Sequence, residues 1–391
     1  MTLRYGMVGG GPGAFIGAVH RAAAALDGTM DLVAGAFSSD PDKSAEQGRA
    51  LDLDPDRVYD SYVEMAEAEA ALPDAERIDV VSIVTPNFLH YDVAKTFIEQ
   101  GIHVICDKPM TTSLEDAEAL CRLVEETGVV FALTHNYTGY PLVKQARAMV
   151  QNGDLGDLRK VVVEYPQGWL SDAIEEDGQK QASWRTDPAL AGAGALGDIG
   201  SHAENLAGYV TGLTIERLMA DVGTVVDGRA VDDDVNMLVR YEGGVRGVLY
   251  CSQISQGEEN NLRLRVYGTD GSLDWRQEDP HRLIVRRNGQ PQQIYTHGSD
   301  YLTEAALHNT RLPAGHPEAF IEAFANVYRN AGRTIAARKA GRDPDPLDLD
   351  FPTVQEGAVG VHFIETALES GRREAWVDAS YTPPGAQTTV D

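Results

Sequence analysis

Short apolar runs at residues 3–8, 30–37, 79–84, 103–106 and 129–134 alternate with stretches of helical periodicity at 15–26, 90–100 and 113–127. A chain that returns from strand to strand through a helix builds a parallel, doubly wound sheet. Ser113 and Asp116 form a capping box at the start of the third helix. Such a sheet binds its ligands outside the carboxyl ends of its strands, so the loops that follow the strands are where chemistry is expected.

Beyond residue 135 the texture changes, because strands at 159–165, 218–226, 235–241, 245–252 and 262–267 follow one another with few helices between them. Glu242-Gly243-Gly244 and Gly268-Thr269-Asp270-Gly271 supply turns for antiparallel hairpins. Helices at 316–339 and 353–370, joined by Asp343-Pro344-Asp345-Pro346, close the chain. The expected fold is therefore α/β. An N-terminal Rossmann domain with a doubly wound parallel sheet spans 1–135, and an α+β domain with a largely antiparallel sheet, for substrate binding and oligomerisation, spans 136–391.

Charge narrows the partners. Asp and Glu number 60 against 33 Lys and Arg, and the net charge of −27 repels phosphate backbones and anionic lipid alike. Neither nucleic acid nor a membrane is an expected partner, and there is no apolar run of the roughly 18 residues that a membrane span needs. Residues 1–6 lead straight into the first strand without a charged-then-apolar leader, and Cys106, Cys121 and Cys251 are far apart, with no C-x-x-C pair. Free thiols, a cytoplasmic location and no bound metal are the expectations.

The first strand runs into Gly9-Gly10-Gly11-Pro12-Gly13-Ala14-Phe15-Ile16-Gly17 and then a helix. Glycine there permits a tight turn and lets backbone N–H groups approach a pyrophosphate at the helix N-terminus. Gly9-x-Gly11-x-x-Ala14 fits the dinucleotide fingerprint, and the strand–loop–helix context is the one it requires. After the second strand, Ser38 and Ser39 stand where an acidic residue normally binds the ribose of NAD. Lys43 is placed to receive the 2′-phosphate of NADP, whereas Asp40 and Asp42 would repel it, so NAD is narrowly favoured and NADP stays open.

Two strand ends carry the polar chemistry. Thr85-Pro86-Asn87 ends one strand and Cys106-Asp107-Lys108-Pro109 the next. Lys108 is either a positioned ammonium or a surface lysine paired with Asp107. Farther on, residues 192–202 read as a glycine loop opening a helix, with Asp198 and His202 spaced i,i+4 on one face. A carboxylate beside an imidazole can orient it for acid–base work, while the alternatives are a helix cap and a buried, satisfied histidine.

Taken in order, Gly9-x-Gly11, Thr85-Pro86-Asn87 with His90, Asp107-Lys108-Pro109, Trp184-Arg185 and Gly194-x-x-x-Asp198-x-x-x-His202 resemble the glucose–fructose oxidoreductase/inositol dehydrogenase/MocA-like family over essentially the whole chain. The resemblance implies an NAD(P)-dependent oxidoreductase whose His202 takes the hydroxyl proton, assisted by Asp198, while Lys108 stabilises the alkoxide. It also implies that His90, Asp107, Asn136, Trp184 and Arg185 join the glycine loop and Thr85-Pro86-Asn87 around the cofactor. Departures are about three extra residues before Gly17, Asp107 in place of glutamate, and Glu204-Asn205 where many members keep a further aspartate near the substrate.

Asn136, Tyr137, Trp169, Lys180, Trp184, Arg185 and His316 add aromatic and hydrogen-bonding groups suited to a polyhydroxylated ring. The expected substrate contacts are Lys108, Tyr137, Trp169, Arg185, Asp198, His202 and His316. A sugar or polyol dehydrogenase that forms a homodimer or homotetramer leads. A redox-neutral, nucleotide-dependent glycosidase is the main alternative, and a non-catalytic nucleotide-binding regulator is the third.

Overall fold

A computed structural model describes residues 2–175, 182 and 185–386. Strands β1 (Leu3–Gly9), β2 (Met30–Ala36), β3 (Val80–Val84), β4 (His103–Cys106) and β5 (Phe131–Leu133) pair in parallel in the order β2-β1-β3-β4-β5. The order reverses between β1 and β3, which opens a crevice at their carboxyl ends. Helices α1 (Phe15–Leu26), α2 (Pro41–Ala50), α3 (Tyr62–Ala71), α4 (His90–Glu99) and α5 (Leu114–Thr127) connect the strands.

Helices α2 and α3 go beyond the periodicity, and their starts are set by caps. Asp40 accepts from Asp42 N at 3.1 Å, and Ser61 accepts from Glu64 N at 3.1 Å. The capping serine of α5 is Ser113, which accepts from Asp116 N at 3.2 Å.

The second sheet contains β6 (Leu158–Pro166), β7 (Ile215–Gly223), β8 (Asp234–Tyr241), β9 (Arg246–Ser252), β10 (Arg263–Gly268), β11 (Gly271–Arg276), β12 (Arg282–Arg287), β13 (Gln293–Thr296) and β14 (Val377–Asp378). Their order is β13-β12-β11-β10-β6-β9-β8-β7-β14, antiparallel throughout except for the β6–β9 pair. Strands β12 and β13 escape the apolar pattern. In β12 only Leu283 and Val285 turn into the core, with Arg282, Arg286 and Arg287 around them.

The inner face of this sheet packs on α6 (Pro141–Gln151) and α7 (Ser201–Thr211). Its outer face leaves Met219, Leu238 and Ile294 exposed among ion pairs such as Arg263–Asp274.

The two closing helices, α8 (Phe320–Lys339) and α9 (Val354–Arg373), return to the first sheet. One face of that sheet, with Leu3, Tyr5 and Met7, packs against α1 and against Phe324, Tyr328, Ala331 and Ile335 of α8. The other, with Val81, Ile83 and Val104, packs against α4, α5 and Val354, Ala358 and Val361 of α9. Later residues of α9, Phe363, Ile364 and Ala367, belong to the core of the second sheet. A cut at 135/136 therefore separates the nucleotide sheet from helices that cover both its faces.

Helix α8 begins at Phe320 rather than at 316. Pro317 disfavours helical backbone at His316, and Glu322 caps the start by accepting from Ala319 N at 2.8 Å.

Candidate active site

The carboxyl edge of the first sheet opens into a cleft of about 700 Å³ lined by Gly9, Gly11, Pro12, Ala14, Phe15, Ile16, Ser38, Ser39, Lys43, Thr85, Pro86 and Asn87. Gly9 has a φ of +87°, and a Cβ there would press on Val84 O at 2.8 Å. The small residue that lets the helix approach the loop is Gly17, where a Cβ would fall 2.5 Å from Gly10 Cα. Ala14 instead is the N-cap of α1, in extended backbone, because the loop is longer than the fingerprint assumes. Among the described residues no side chain caps α1, which leaves its first N–H groups available at the cleft. Thr85 Oγ1 is buried there without a partner among the described residues. This cradle of N–H donors fits a dinucleotide pyrophosphate.

Two expected cofactor residues, and the two aspartates expected to repel a 2′-phosphate, take other places. Gly13 turns the loop at φ +76° but is not in the cleft lining. His90 is fully buried, with its ring nitrogens 2.8 Å from Pro109 O and 2.9 Å from Thr85 O, and it ties two loops together. Asp40 turns to its own helix and to Lys43 Nζ, 3.4 Å away, so neither it nor Asp42 lines the cleft.

A second cavity of about 590 Å³ adjoins the first, and Phe15, Ile16, Asp107, Lys108, Arg185 and Asp198 line both. At this junction Lys108 Nζ donates to Asp198 O at 2.6 Å and to Asp198 Oδ1 at 2.8 Å. Gln253 Nε2 donates to Asp198 Oδ2 at 2.8 Å, and Arg185 Nε lies 3.5 Å from the same oxygen. Burial by itself would raise the Asp198 carboxyl, but Lys108, Arg185 and the Lys108 hydrogen bond outweigh it and hold the group well below the carboxylate range. Asp107 holds the loop instead of the ammonium, accepting from Lys108 N at 2.9 Å and Thr134 Oγ1 at 3.0 Å.

The expected pairing of Asp198 with His202 is not made by a hydrogen bond among the described residues. Residues Leu196–Gly200 form a π-turn, which breaks the i,i+4 alignment and gives Asp198 to Lys108. Asp232, invisible to motif reasoning because it sits in a turn between strands, fixes this turn by accepting from Gly194 N and Leu196 N, each at 2.7 Å.

His202 lines the second cavity, 7% exposed. Its Nδ1 lies 3.4 Å from Nδ1 of buried His135, and its ring meets that of Tyr137 edge-on, with centroids 4.8 Å apart. Burial first, then Lys108 and His135, depress its pKa well below the ordinary histidine value, against the opposing pull of Asp198.

Beside it stands a polar wall in which the expected Tyr137 and Trp169 are joined by Tyr165, Gln167 and Asn260, three residues that no motif announced. Tyr137 OH and Tyr165 OH are 2.5 Å apart, and Tyr165 OH and Gln167 Nε2 each donate to Asn260 Oδ1 at 2.7 Å. Trp169 Nε1 donates to Gln167 Oε1 at 3.0 Å. Period-2 alternation at the end of β6, which turns Tyr165 inward, is the signal that could have found it.

Asn136 lines this cavity rather than the cleft, and its Nδ2 is buried and unpartnered among the described residues. His316 is exposed in the turn before α8 and is absent from either lining. Glu204 and Asn205 are absent from the lining of the reaction cavity and line a separate one, Glu204 lying about 200° round α7 from His202. Lys180 and Trp184 lie outside the described residues.

Comparison with known proteins fits this geometry. Residues 3–137 match an oxidoreductase family with an NAD-binding Rossmann fold, and residues 143–274 match the GFO/IDH/MocA C-terminal domain. The uncharacterized oxidoreductase YfiI of Bacillus subtilis is 33% identical over 96% of both chains. An oxidoreductase structure from Sinorhizobium meliloti is 45% identical, covering 96% of this chain and 99% of its own, with a TM-score of 0.88. An inositol dehydrogenase homolog from Azotobacter vinelandii, solved with NAD+, is 38% identical over 97% of both chains with a TM-score of 0.91, and an inositol dehydrogenase homolog structure from the same organism with NADH and myo-inositol is 36% identical, covering 97% of this chain and 98% of its own, with a TM-score of 0.88. With two matched domains in order and full-length relatives at 33% and 45% identity, the chain belongs to the GFO/IDH/MocA family of oxidoreductases.

Proposed function

We propose that this protein is an NAD(P)-dependent dehydrogenase acting on a secondary hydroxyl of a sugar or inositol-like polyol. The observation that carries the reading is the placement of Lys108 and Asp198 where the two cavities meet, with His202 on the wall of the second. Bound nicotinamide dinucleotide supplies the hydride acceptor. His202, kept neutral by burial and by Lys108, takes the hydroxyl proton. The Lys108 ammonium stabilises the alkoxide, and Asp198 positions that ammonium through two contacts. Tyr137, Trp169 and Arg185 contribute the surrounding platform, and the unpartnered Asn136 amide is a donor for a ligand oxygen.

NAD is preferred over NADP in this reading, because the Lys43 ammonium is already paired with Asp40 and is a poor receiver for a 2′-phosphate. The buried, free thiols of Cys106, Cys121 and Cys251 support a cytoplasmic setting. Incubation with a panel of inositols and sugars should yield reduced nicotinamide in step with ketone, at a higher kcat/KM with NAD than with NADP. Sustained release of aglycone from aryl glycosides on catalytic nucleotide, with no net reduction, would establish the redox-neutral glycosidase instead.

The subunit pairs with copies of itself in this reading, as a dimer or tetramer, through the outer face that exposes Met219, Leu238 and Ile294. Light scattering at micromolar concentration should give a multiple of the 42.3 kDa chain mass, and a monomer mass rejects the assembly.

A further inference from the structure

Between α7 and α9 lies a third cavity, of about 270 Å³, which the reaction does not use. Its floor is apolar, with Leu213, Ile215, Leu218 and Phe363. Glu204 and Asn205 line it from α7, only 8% and 6% exposed, and neither side chain has a hydrogen-bond partner among the described residues. His202 lies two residues before Glu204, about 200° away round the helix, and lines the second cavity but not this one.

We propose that this cavity is a second binding site, for a small organic cation: a protonated amine whose ammonium is held by the Glu204 carboxylate and the Asn205 side-chain carbonyl, with its hydrocarbon part on Leu213, Ile215 and Phe363.

The charge balance selects the class of ligand. Glu356 from α9 also lines the cavity, while Arg147, the one guanidinium there among the described residues, is already paired with Asp350 Oδ1 at 2.9 Å and lies over the Tyr209 ring at 4.4 Å. Glu356 keeps one oxygen for its cap, accepting from Thr353 N at 2.7 Å. His362 and Tyr381, stacked with centroids 4.4 Å apart, add an aromatic wall of the kind that receives cations. An anion would meet two carboxyl groups, whereas a cation is the ligand that stabilises the ionised form of Glu204. Burial, and then Glu356, push the Glu204 carboxyl up to about 8, as befits an acid that lacks a cation beside it.

The test is calorimetric titration of the NAD-loaded protein with n-butylamine at pH 8, with n-butanol as the neutral control. The amine should bind saturably at one site and the alcohol should not. Glu204→Gln should weaken the amine by about thirtyfold or more, the scale for losing one partner of a buried charge pair. Gly208→Leu provides a second variant, because Gly208 lines the cavity and a Cβ there would sit at ordinary contact distance, 3.8 Å, from Glu204 Oε1 with nothing else within 4 Å, so a side chain at this position grows beside the proposed ammonium site. It should abolish amine binding and leave polyol turnover unchanged. Lys108→Met should bind the amine as wild type does. No saturation by the amine, equal binding of the alcohol, affinity that survives both cavity variants, or loss of binding in Lys108→Met would each overturn the proposal.

Discussion

Lys108→Met lowers turnover by roughly a thousandfold, the combined scale of a lost alkoxide stabiliser and a misplaced acid–base partner. The side chain is 14% exposed and makes both of its contacts to Asp198, so methionine can fill its path but cannot replace its charge. Asp198 keeps Gln253 and Arg185, which limits the damage to the fold. The pH profile gives a readout that simple misfolding would not. After burial, Lys108 is the largest influence depressing His202, so its removal raises the imidazole pKa. Because the neutral imidazole is the working base, the acid limb of kcat/KM moves to higher pH in the variant. An acid limb that stays where it was, measured on the residual activity, would show that Lys108 does not act on His202.

His202→Gln reduces turnover by about a hundredfold to ten-thousandfold, as expected when an acid–base group is removed. Unlike Lys108, His202 lines the second cavity and not the nucleotide cleft. The dissociation constant for NAD, followed by fluorescence, should therefore match that of the wild type while single-turnover hydride transfer collapses. Retained turnover would leave the proton to another group, with neighbouring His135 the first to test.

Much of the arrangement was legible where local pattern and tertiary role coincide. Apolar strands such as Val80–Val84 are buried on both faces, so their sequence reads as a continuous run. Lys108 and Asp198 stood out because strand ends and glycine loops place side chains at the carboxyl edge. What escaped depends on backbone detail. The i,i+4 rule presumes an α-helix, and the π-turn at Leu196–Gly200 sent Asp198 to Lys108 rather than to His202. The longer glycine loop moved the close helix approach from Ala14 to Gly17. The Tyr165–Asn260 link joins β6 to the loop before β10, and distance along the chain hides it. Glu204 and Asn205 stood out only as a departure from the family pattern, and that they line a separate cavity depends on how α7 is set against its neighbours.

The return of α8 and α9 to the first sheet sets the timetable of the molecule's birth. A chain leaving the ribosome has formed every strand of that sheet by Leu133, and its glycine loop long before. Yet Leu3, Tyr5 and Met7 then have only α1 to shelter them until Phe320 and the residues behind it emerge. The nucleotide cleft, begun first, is finished last. A premature stop codon that removes only the two closing helices thus strips the support from beneath a site encoded at the opposite end of the message.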